Sequence, residues 1–554
     1  MALVACGPAP SPAKPPSTAD SAAPHDSLSR IVDRYWDERA SFANPLSPQY
    51  LADSLAVERR FLVEILALPR QGLDSESRLT YDIFRRRREL NIEGFTYPEE
   101  LLPVNPFGGM PQQLARLAAE FREHPLLSAK DYENWLLRID DYVGWTQQAI
   151  ANMREGMRRG YTSPRVLMER MLPVLHDLGE DTSANVFYGP LRSLPDTLKE
   201  PDRTRLTESL NHAIRDKLLP AYRILHDFIQ SDYLPRARSS VALSALPMGP
   251  SWYAFRVKRA TGSSLTPQEI HIAGVAEVER IRARLQSFAA GAPLVGATAT
   301  ATATATANAT ATANATASAN ANAGPNASPN AGASGASNSY PEWKVQTLAA
   351  MPTLFSDAPQ LDLAAAPTGE APAGATIAQF LRDEIPGRHY QTLVQQARAD
   401  LPKFRRFGSD SAFVDGWALY AESLGEQLGL YRDDEAKKNA LVDQLKCAAA
   451  LVADTGLHAE GWTRAQAVDY LRAQLAAGDA DAELMADRFV AMPGDALACM
   501  MGELKIRALL AQAQRALGGR FDIREFHSEI LEDGAMPLDI LEAKMNLWME
   551  AGHR

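Results

Sequence analysis

The sequence predicts a mainly α-helical fold with minor β structure. Between residues 132 and 160, apolar side chains recur at spacings of three and four residues, and the segment ends at Gly160, a residue typical of a helix C-terminus. Further along, the tetrapeptide TPQE at 266–269 has the pattern of a capping box with proline at the first helical position. Beyond residue 341, helical patterning continues to the end of the chain. Long helices therefore dominate the prediction.

Two segments interrupt the predicted helices. Residues 248–263 are rich in aromatic and β-branched side chains, so we expect a strand or an extended loop there. Residues 296–338 repeat Ala-Thr and Asn-containing units, which hold no apolar side chain large enough to build a core, and we expect a disordered insertion. These boundaries divide the chain into a disordered N-terminal tether at 1–26, a helical part at 27–295, the insertion at 296–340 and a second helical part at 341–554.

The composition is that of an ordinary globular protein. A chain of 554 residues, 46% of them hydrophobic, is long enough for a large helical domain or two lobes. The net charge of -11 argues against a general nucleic-acid binder, which would show an excess of basic residues. We therefore expect the four arginines at 85–88 on a solvated helix face. No apolar run approaches the length that spans a bilayer.

The three cysteines are too few for a disulfide framework. Cys447 and Cys499 are expected to pack as small buried apolar groups. Cys6 ends the tetrapeptide LVAC, which resembles the lipobox of bacterial lipoproteins, and a tether rich in Pro, Ala and Ser follows it. We therefore expect lipidation at Cys6, a true start upstream, and attachment to the membrane of the cell envelope through this lipid alone. The alternative is a cytoplasmic protein with a disordered N-terminus.

Two segments, LRDEIPGRHYQ at 381–391 and FVDGWALYAESLGEQLG at 413–429, carry the most chemical information. Metal-dependent hydrolysis on helices needs two imidazoles on one face, a carboxylate beside them to activate water, and a third ligand from a second helix. The first segment has this frame, but it carries Arg382, Asp383 and Arg388 where histidine, glutamate and histidine are needed. The chain is therefore either an enzyme with an altered site or the retained shell of one.

Longer blocks of sequence carry a family resemblance. They include LLRIDDYVGWTQQAIANMREGMRRGYTSPR, SSLTPQEIHIAGVAEVERIRARL, DGWALYAESLGEQLGLY and MPGDALACMMGELKIRALL. Through these blocks the chain resembles a large bacterial family classified only as a domain of unknown function, related to the gluzincin peptidases that include angiotensin-converting enzyme and the thermostable carboxypeptidases. The resemblance runs from about residue 132 to 552, apart from the insertion. It implies a large helical gluzincin-like fold with a central channel and the metal site inside it.

The family's motif reads approximately H-E-x-x-P-G-H-H-x-Q. The resemblance places its first histidine on Arg382 and its catalytic glutamate on Asp383. The two later histidine positions fall on Arg388 and His389, and the glutamine is kept as Gln391. A guanidinium stays protonated and offers no lone pair, so neither arginine can bind zinc. Aspartate is one methylene shorter than glutamate, which places its carboxylate badly for activating water.

The downstream family motif, E-G-W-A-L-Y-x-E, implies a third zinc ligand at Asp415 and a retained glutamate at Glu422. In a further block, Asp495 stands at a glutamine position and Cys499 at the position of a tyrosine that would stabilise an oxyanion. We hypothesise that Arg382 or Arg388 occupies the vacant metal position and pairs with Asp383, Asp415 or Glu422. Buried carboxylates without a cation would be costly, and a bidentate arginine pair is the simplest remedy.

A different metal site remains as an alternative. His389 with Asp383, Glu384 and Asp415 makes a carboxylate-rich set, so the weak metal candidates are His389, Asp415 and Glu422. The ten histidines contain no pair within one helical turn.

Two other histidines, His458 and His527, are expected to be packed structural or channel-lining residues. The aromatic residues Trp417, Tyr420 and Trp462 are expected in the core.

Taken together, the substitutions predict a catalytically inactive zinc-peptidase-like protein of the cell envelope. Asp383 stands at the catalytic position but is expected to be inactive, and we expect no cofactor. A role in binding peptides or in scaffolding is the remaining function, with no nucleic-acid partner. The alternatives are an active metal-dependent hydrolase with an altered site, for which zinc is the cofactor, and a decayed gene product. The sequence names neither a substrate nor an oligomeric state.

Overall fold

The computed structural model describes residues 24–38, 44–121, 126–289, 340–356 and 375–552. The low-complexity insertion predicted at 296–338 and the proposed lipidation site Cys6 lie outside the described residues.

Helices form nearly all of the regular structure. The first part of the chain contains α1 (Pro24–Glu38), α2 (Pro48–Leu66), α3 (Ser75–Gly94), α4 (Met110–Glu120), α5 (Ala129–Arg159), α6 (Arg165–Gly179), α7 (Gly189–Arg192), α8 (Asp202–His212), α9 (Leu219–Phe228), α10 (Gly249–Thr261) and α11 (Pro267–Ala289). The second part contains α12 (Tyr340–Ala350), α13 (Ile377–Asp383), α14 (Arg388–Ala397), α15 (Lys403–Arg406), α16 (Ser411–Ser423), α17 (Asp434–His458), α18 (Arg464–Leu475), α19 (Asp479–Ala491), α20 (Ala498–Leu517), α21 (Ile523–Leu531) and α22 (Leu538–Gly552). Two π-helical segments, Ala213–Leu218 and Ile229–Tyr233, flank α9.

Two helices confirm the capping signals read from the sequence. Helix α5 begins at a capping box made by Ser128 and Asp131, and it ends at Gly160, whose φ is 81°. Before α11, the Thr266 hydroxyl accepts a hydrogen bond from the Glu269 amide at 3.2 Å, while the Glu269 carboxylate accepts one from the Thr266 amide at 2.8 Å. Each cap satisfies amides that the helix itself leaves without partners.

The prediction of a strand or extended loop at 248–263 is wrong, because this segment forms α10. Its aromatic side chains are spaced for a helix face: Trp252 and Phe255 are three residues apart, and both are buried. Gly262 ends the helix in the left-handed conformation. The structure contains no strand in its described ranges, and the β structure there is limited to one isolated bridge between Pro164 and Arg238. The mainly α-helical fold is as predicted.

Two apolar cores organise the described helices. The first is formed mainly by α5, α6, α8 to α11 and α17 to α19, and the second mainly by α1 to α3, α12 to α16, α21 and α22. Helix α20 belongs to both, since it places Met500 in the first core and Ile506 in the second. The most extensive helix pairs are α16 with α20 and α11 with α17. Helix α20 therefore links the two cores.

The prediction that the arginines at 85–88 lie on a solvated helix face is wrong for two of them. Arg87 and Arg88 are only 6% and 3% exposed. Arg87 donates hydrogen bonds to the carbonyls of Phe404 and Ser409, and Arg88 pairs with Glu58 at 2.5 Å. Carboxylates and carbonyls from other elements offset the burial of a guanidinium, which a spacing pattern cannot reveal.

Candidate functional site

A tight turn positions the two motif arginines. Residues 384–387 join α13 to α14, and a Cβ atom at Gly387 would lie only 2.0 Å from the Arg382 carbonyl oxygen. Only glycine fits so close to another backbone. The Trp417 indole donates a hydrogen bond of 2.9 Å to the Pro386 carbonyl, which ties the turn to α16. The turn therefore brings Arg382, near the end of α13, and Arg388, at the start of α14, to α16.

A second close approach positions the acidic partners. Helices α16 and α20 cross at Gly416 and Gly502, where a Cβ atom at Gly416 would lie 2.4 Å from the Gly502 Cα. A Cβ atom at Gly502 would lie 1.8 Å from the Ala412 carbonyl oxygen. Asp415 precedes the crossing glycine on α16 and Glu422 lies near the end of the same helix. The start of α20, which carries Cys499, therefore lies beside the helix of both acids.

Arg382 forms a buried ion pair with Glu422. The Nη2 atom of Arg382 lies 2.6 Å from Oε2 of Glu422, whose side chain is fully buried. Burial raises the pKa of the Glu422 carboxyl well above its ordinary value, and the Arg382 cation opposes that shift. The guanidinium is the cation on which this buried carboxylate depends.

Arg388 bridges the other two acids. Its Nη1 donates to Oδ1 of Asp383 and its Nη2 donates to Oδ1 of Asp415, both at 2.7 Å. These three side chains are 40%, 50% and 37% exposed, so water screens this part of the site. The pairings of both arginines are those hypothesised from the sequence. The arginine cluster consists of five residues: Arg382, Arg388, Asp383, Asp415 and Glu422.

The remaining motif residues lie outside the arginine cluster. Gln391 is buried and donates a hydrogen bond of 2.7 Å to Gln395 within α14. Asp495 is exposed and interacts electrostatically with Arg256. His389 is partly buried, and its Nε2 atom has no hydrogen-bond partner among the described residues. The carboxylate-rich set around His389 is thus divided, because Arg388 engages Asp383 and Asp415.

The electrostatic link of two cysteines to the arginine cluster was missed by sequence reasoning. Cys447 lies on α17 and Cys499 on α20, and the charge of Arg382 acts on both thiols. Interaction with the Cys499 side chain and the charge of Arg382 lower the pKa of the Cys447 thiol. Both cysteines are partly exposed. No spacing rule links them, because two separate helices supply them.

The donor set at the cluster does not fit zinc. Within the described ranges, no group of three or more His, Cys, Asp or Glu side chains is arranged to hold a metal ion. Asp383, Asp415 and Glu422 are each paired with a guanidinium. A divalent cation there would face two fixed positive charges.

His458 and His527 are structural residues of the two cores. Nδ1 of His458 accepts a hydrogen bond of 2.9 Å from the Leu243 amide, and burial lowers its pKa to about 3. His527 bonds the Leu354 carbonyl through Nδ1 and the Tyr420 hydroxyl through Nε2, and burial lowers its pKa to about 4. Both rings are therefore neutral near pH 7.

The expected core positions are found for two of the three aromatic residues. Trp417 is fully buried and Tyr420 is 3% exposed. Trp462 is partly buried and packs edge-on against His271.

A ligand-sized cavity lies away from the arginine cluster. It has a volume of about 970 Å³ and is formed by α2, α3, α10 and the segment after α3. Its lining combines aromatic rings, such as Tyr97 and Phe255, with both signs of charge, represented by Glu100 and Arg159. None of the five cluster residues lines it. The cavity and the arginine cluster therefore share no residue.

One further finding concerns the membrane. Among the described residues, no helix is both long enough and apolar enough to cross a bilayer.

Comparisons with known proteins bear on the fold and the family. A crystal structure of a "putative lipoprotein" from Colwellia psychrerythraea matches with a TM-score of 0.74 at 21% identity, covering 96% of this chain and 100% of that one. A structure of a "putative lipoprotein of unknown function" from Shewanella oneidensis matches with a TM-score of 0.63 at 13% identity. The match covers 95% of this chain and 100% of that one. These likenesses show a shared helical fold. Curated protein sequences yield no significant match. The model of a family of bacterial proteins of unknown function, DUF885, matches residues 35–377 and 368–545, and the chain belongs to this family.

Proposed function

We propose that this protein is a non-catalytic, peptide-binding member of the DUF885 family, attached to the cell envelope. The observation that carries the proposal is the pairing of both motif arginines with the carboxylates that a metal site would need. Arg382 and Arg388 neutralise these acids. A guanidinium has no lone pair with which to bind a metal or to accept a proton from water. The gluzincin relationship, which rests on the motif frame at 381–391, makes a lost zinc-peptidase activity the simplest origin of the arrangement.

The cavity supports the binding part of the proposal. Its volume of about 970 Å³ lies in the range of small-molecule and short-peptide sites. Aromatic rings give apolar contact area to peptide side chains, while carboxylates and guanidinium groups of the lining match the two charged ends of a short peptide. The net charge of -11 disfavours a nucleic-acid ligand.

The position in the envelope rests on two observations. The tetrapeptide LVAC at 3–6 resembles a lipobox, and two proteins of similar fold are themselves described as candidate lipoproteins. Lipidation at Cys6 would hold the helical body near a membrane surface.

Affinity selection with a tryptic digest of casein tests this function. The full-length protein is incubated with the digest and separated by ultrafiltration, and the retained and free peptides are identified by mass spectrometry. We expect a subset of peptides to be retained at their original length. In the variant Thr96→Trp, whose indole would fill the cavity mouth, we expect retention to fall by about tenfold, a loss of ~1.4 kcal/mol.

The matched control is Thr353→Trp, which places the same side chain at an exposed site outside the cavity lining. Its retention should equal that of the unchanged protein. Peptides shortened in a chelator-sensitive manner would instead establish an active metal-dependent hydrolase. Retention no greater than that of a protein-free filter would overturn the binding proposal.

A further inference from the structure

Most of the charged side chains that line the cavity already have partners of opposite charge. Among the described residues, the charged lining side chains are Glu58, Glu99, Glu100, Arg159 and Arg259. Glu58 lies 2.5 Å from the Arg88 guanidinium. Glu99 lies 3.0 Å from Arg256 and 3.8 Å from Arg259. These pairs neutralise one another within the wall, so they leave little charge for a ligand to compensate.

Arg159 is the first of the two exceptions. Its guanidinium lies over the ring of Tyr161, 5.4 Å from the ring centroid, and Tyr161 is only 6% exposed. In the part of the chain that the structure describes, Arg159 forms no ion pair with a carboxylate. The ring therefore holds the cation at the cavity wall while its N–H donors stay free of any acidic partner there.

Glu100 is the second exception. It lies in the turn Glu99–Leu101 and is anchored by the next residue, Leu101, which is 3% exposed. Its carboxylate is partly buried and forms no ion pair with any described residue. Burial raises the pKa of the Glu100 carboxyl above its ordinary value. An ionised Glu100 is therefore short of water and would be stabilised by a cation from a ligand.

The backbone brings these two opposite charges to the same cavity. A Cβ atom at Gly156 would lie 3.2 Å from the Leu101 carbonyl oxygen, so the last turn of α5 packs against the turn that carries Glu100. Arg159 is the last residue of α5. The two side chains nevertheless do not pair with each other. Each is therefore available to bind one charge of a ligand.

We propose that Glu100 and Arg159 make the cavity selective for short peptides whose two ends are both free. Glu100 binds the N-terminal ammonium and Arg159 binds the C-terminal carboxylate through its planar guanidinium. This inference rests on the proposed function and narrows its ligand class to zwitterionic peptides. An internal segment of a longer chain carries neither charge, so it would leave both side chains without a partner.

Calorimetric titration of the full-length protein with one tripeptide in four forms provides the test. The tripeptide is alanyl-phenylalanyl-alanine, because its central ring suits the aromatic part of the lining. The forms have both ends free, the N-terminus acetylated, the C-terminus amidated, or both ends blocked. We expect each single block to weaken binding by about tenfold, since each removes one charge-assisted interaction.

Variants assign each end of the peptide to its residue. Glu100→Gln should bind the acetylated and the free peptide equally, while amidation still weakens binding. Arg159→Met should show the reverse pattern. The matched controls are Glu208→Gln and Arg138→Met, which lie at exposed positions outside the cavity lining. Both controls should discriminate among the four forms as the unchanged protein does.

The outcomes separate this inference from the proposed function. Equal affinity of the unchanged protein for the free and the doubly blocked tripeptide would overturn the inference, whether or not the variants fold. Retention of casein peptides without binding of the free tripeptide would also overturn it, and the proposed function would stand. If neither casein peptides nor the tripeptide bind, the proposed function fails and the inference fails with it. Discrimination lost equally in the control variants would contradict the assignment to Glu100 and Arg159.

Discussion

At the scale of single residues, the arginine cluster contains three ion pairs of two kinds. Glu422 is fully buried and depends on Arg382, whereas Arg388 and its two acids are 37% to 50% exposed. Removing one partner of a buried pair leaves an uncompensated charge, while an exposed pair is screened by water. The two arginines, which look equivalent in the sequence, should therefore differ in their effect on stability.

This difference gives the first prediction. Arg382→Met should lower the free energy of unfolding by about 3 kcal/mol, because Glu422 loses its cation. Adding Glu422→Gln should recover most of that loss, since the buried charge is then removed as well. The matched substitution Arg388→Met should cost at most about 1 kcal/mol. Denaturant unfolding measures all three, and equal losses for the two single variants would contradict the assignment.

His458 gives a second prediction, on pH dependence. Burial lowers its folded pKa to about 3, so below an unfolded pKa of ~6.5 the unfolded chain binds the extra proton. The contribution of His458 to the free energy of unfolding is therefore fully present above pH ~6.5. It is lost as the pH falls towards 3, at up to ~1.4 kcal/mol per pH unit. Gln supplies a similar donor and acceptor without titrating. The stability difference between the unchanged protein and His458→Gln should thus shrink on acidification.

The difference between the two proteins isolates this residue. Asp454, whose pKa burial raises to about 7, titrates in both proteins and cancels. Urea unfolding of both proteins between pH 7 and pH 4 provides the measurement. A difference that stays constant over this range would show that His458 is protonated equally in the folded and unfolded states.

At the scale of elements, the crossing of α16 and α20 fixes the position of the acids. A Cβ atom at Gly416 would lie within 2.4 Å of Gly502, so Gly416→Ala should separate the two helices and cost about 1–3 kcal/mol. The control is Gly144→Ala in α5, where nothing lies within 4 Å. There the added methyl group should stabilise the helix by up to ~1 kcal/mol. Thermal unfolding distinguishes the two, and a neutral Gly416→Ala would mean that the helices are not in backbone contact.

The elements also show which features the sequence could predict. Helices α5 and α11 were predictable because their caps use local hydrogen bonds between residues three apart. Helix α10 could not be predicted, because Trp252 and Phe255 belong to residue types that favour strands. Their burial on one face of the helix overrides that preference. The burial of Arg88 depends on Glu58, a partner from a different helix, which no local spacing encodes.

At the scale of the whole molecule, the two apolar cores meet at α20, and the arginine cluster lies beside this junction. The charges of the cluster could be predicted from the sequence, because each substitution removed a lone pair or changed a charge at a motif position. The separation of the cluster from the cavity could not, because it depends on how α2, α3 and α10 pack. We propose that two guanidinium groups stand at the position where related zinc peptidases would bind their metal.

The zinc content of the purified and dialysed protein tests that claim most directly. It is compared with a variant in which Arg382 and Arg388 are changed to His, and Asp383 and Asp415 to Glu. We expect the natural chain to retain only traces of zinc and the variant to take up about one zinc ion per chain, because the variant regains two imidazoles and longer carboxylates on the same helices. Near-stoichiometric zinc in the natural chain would contradict the account.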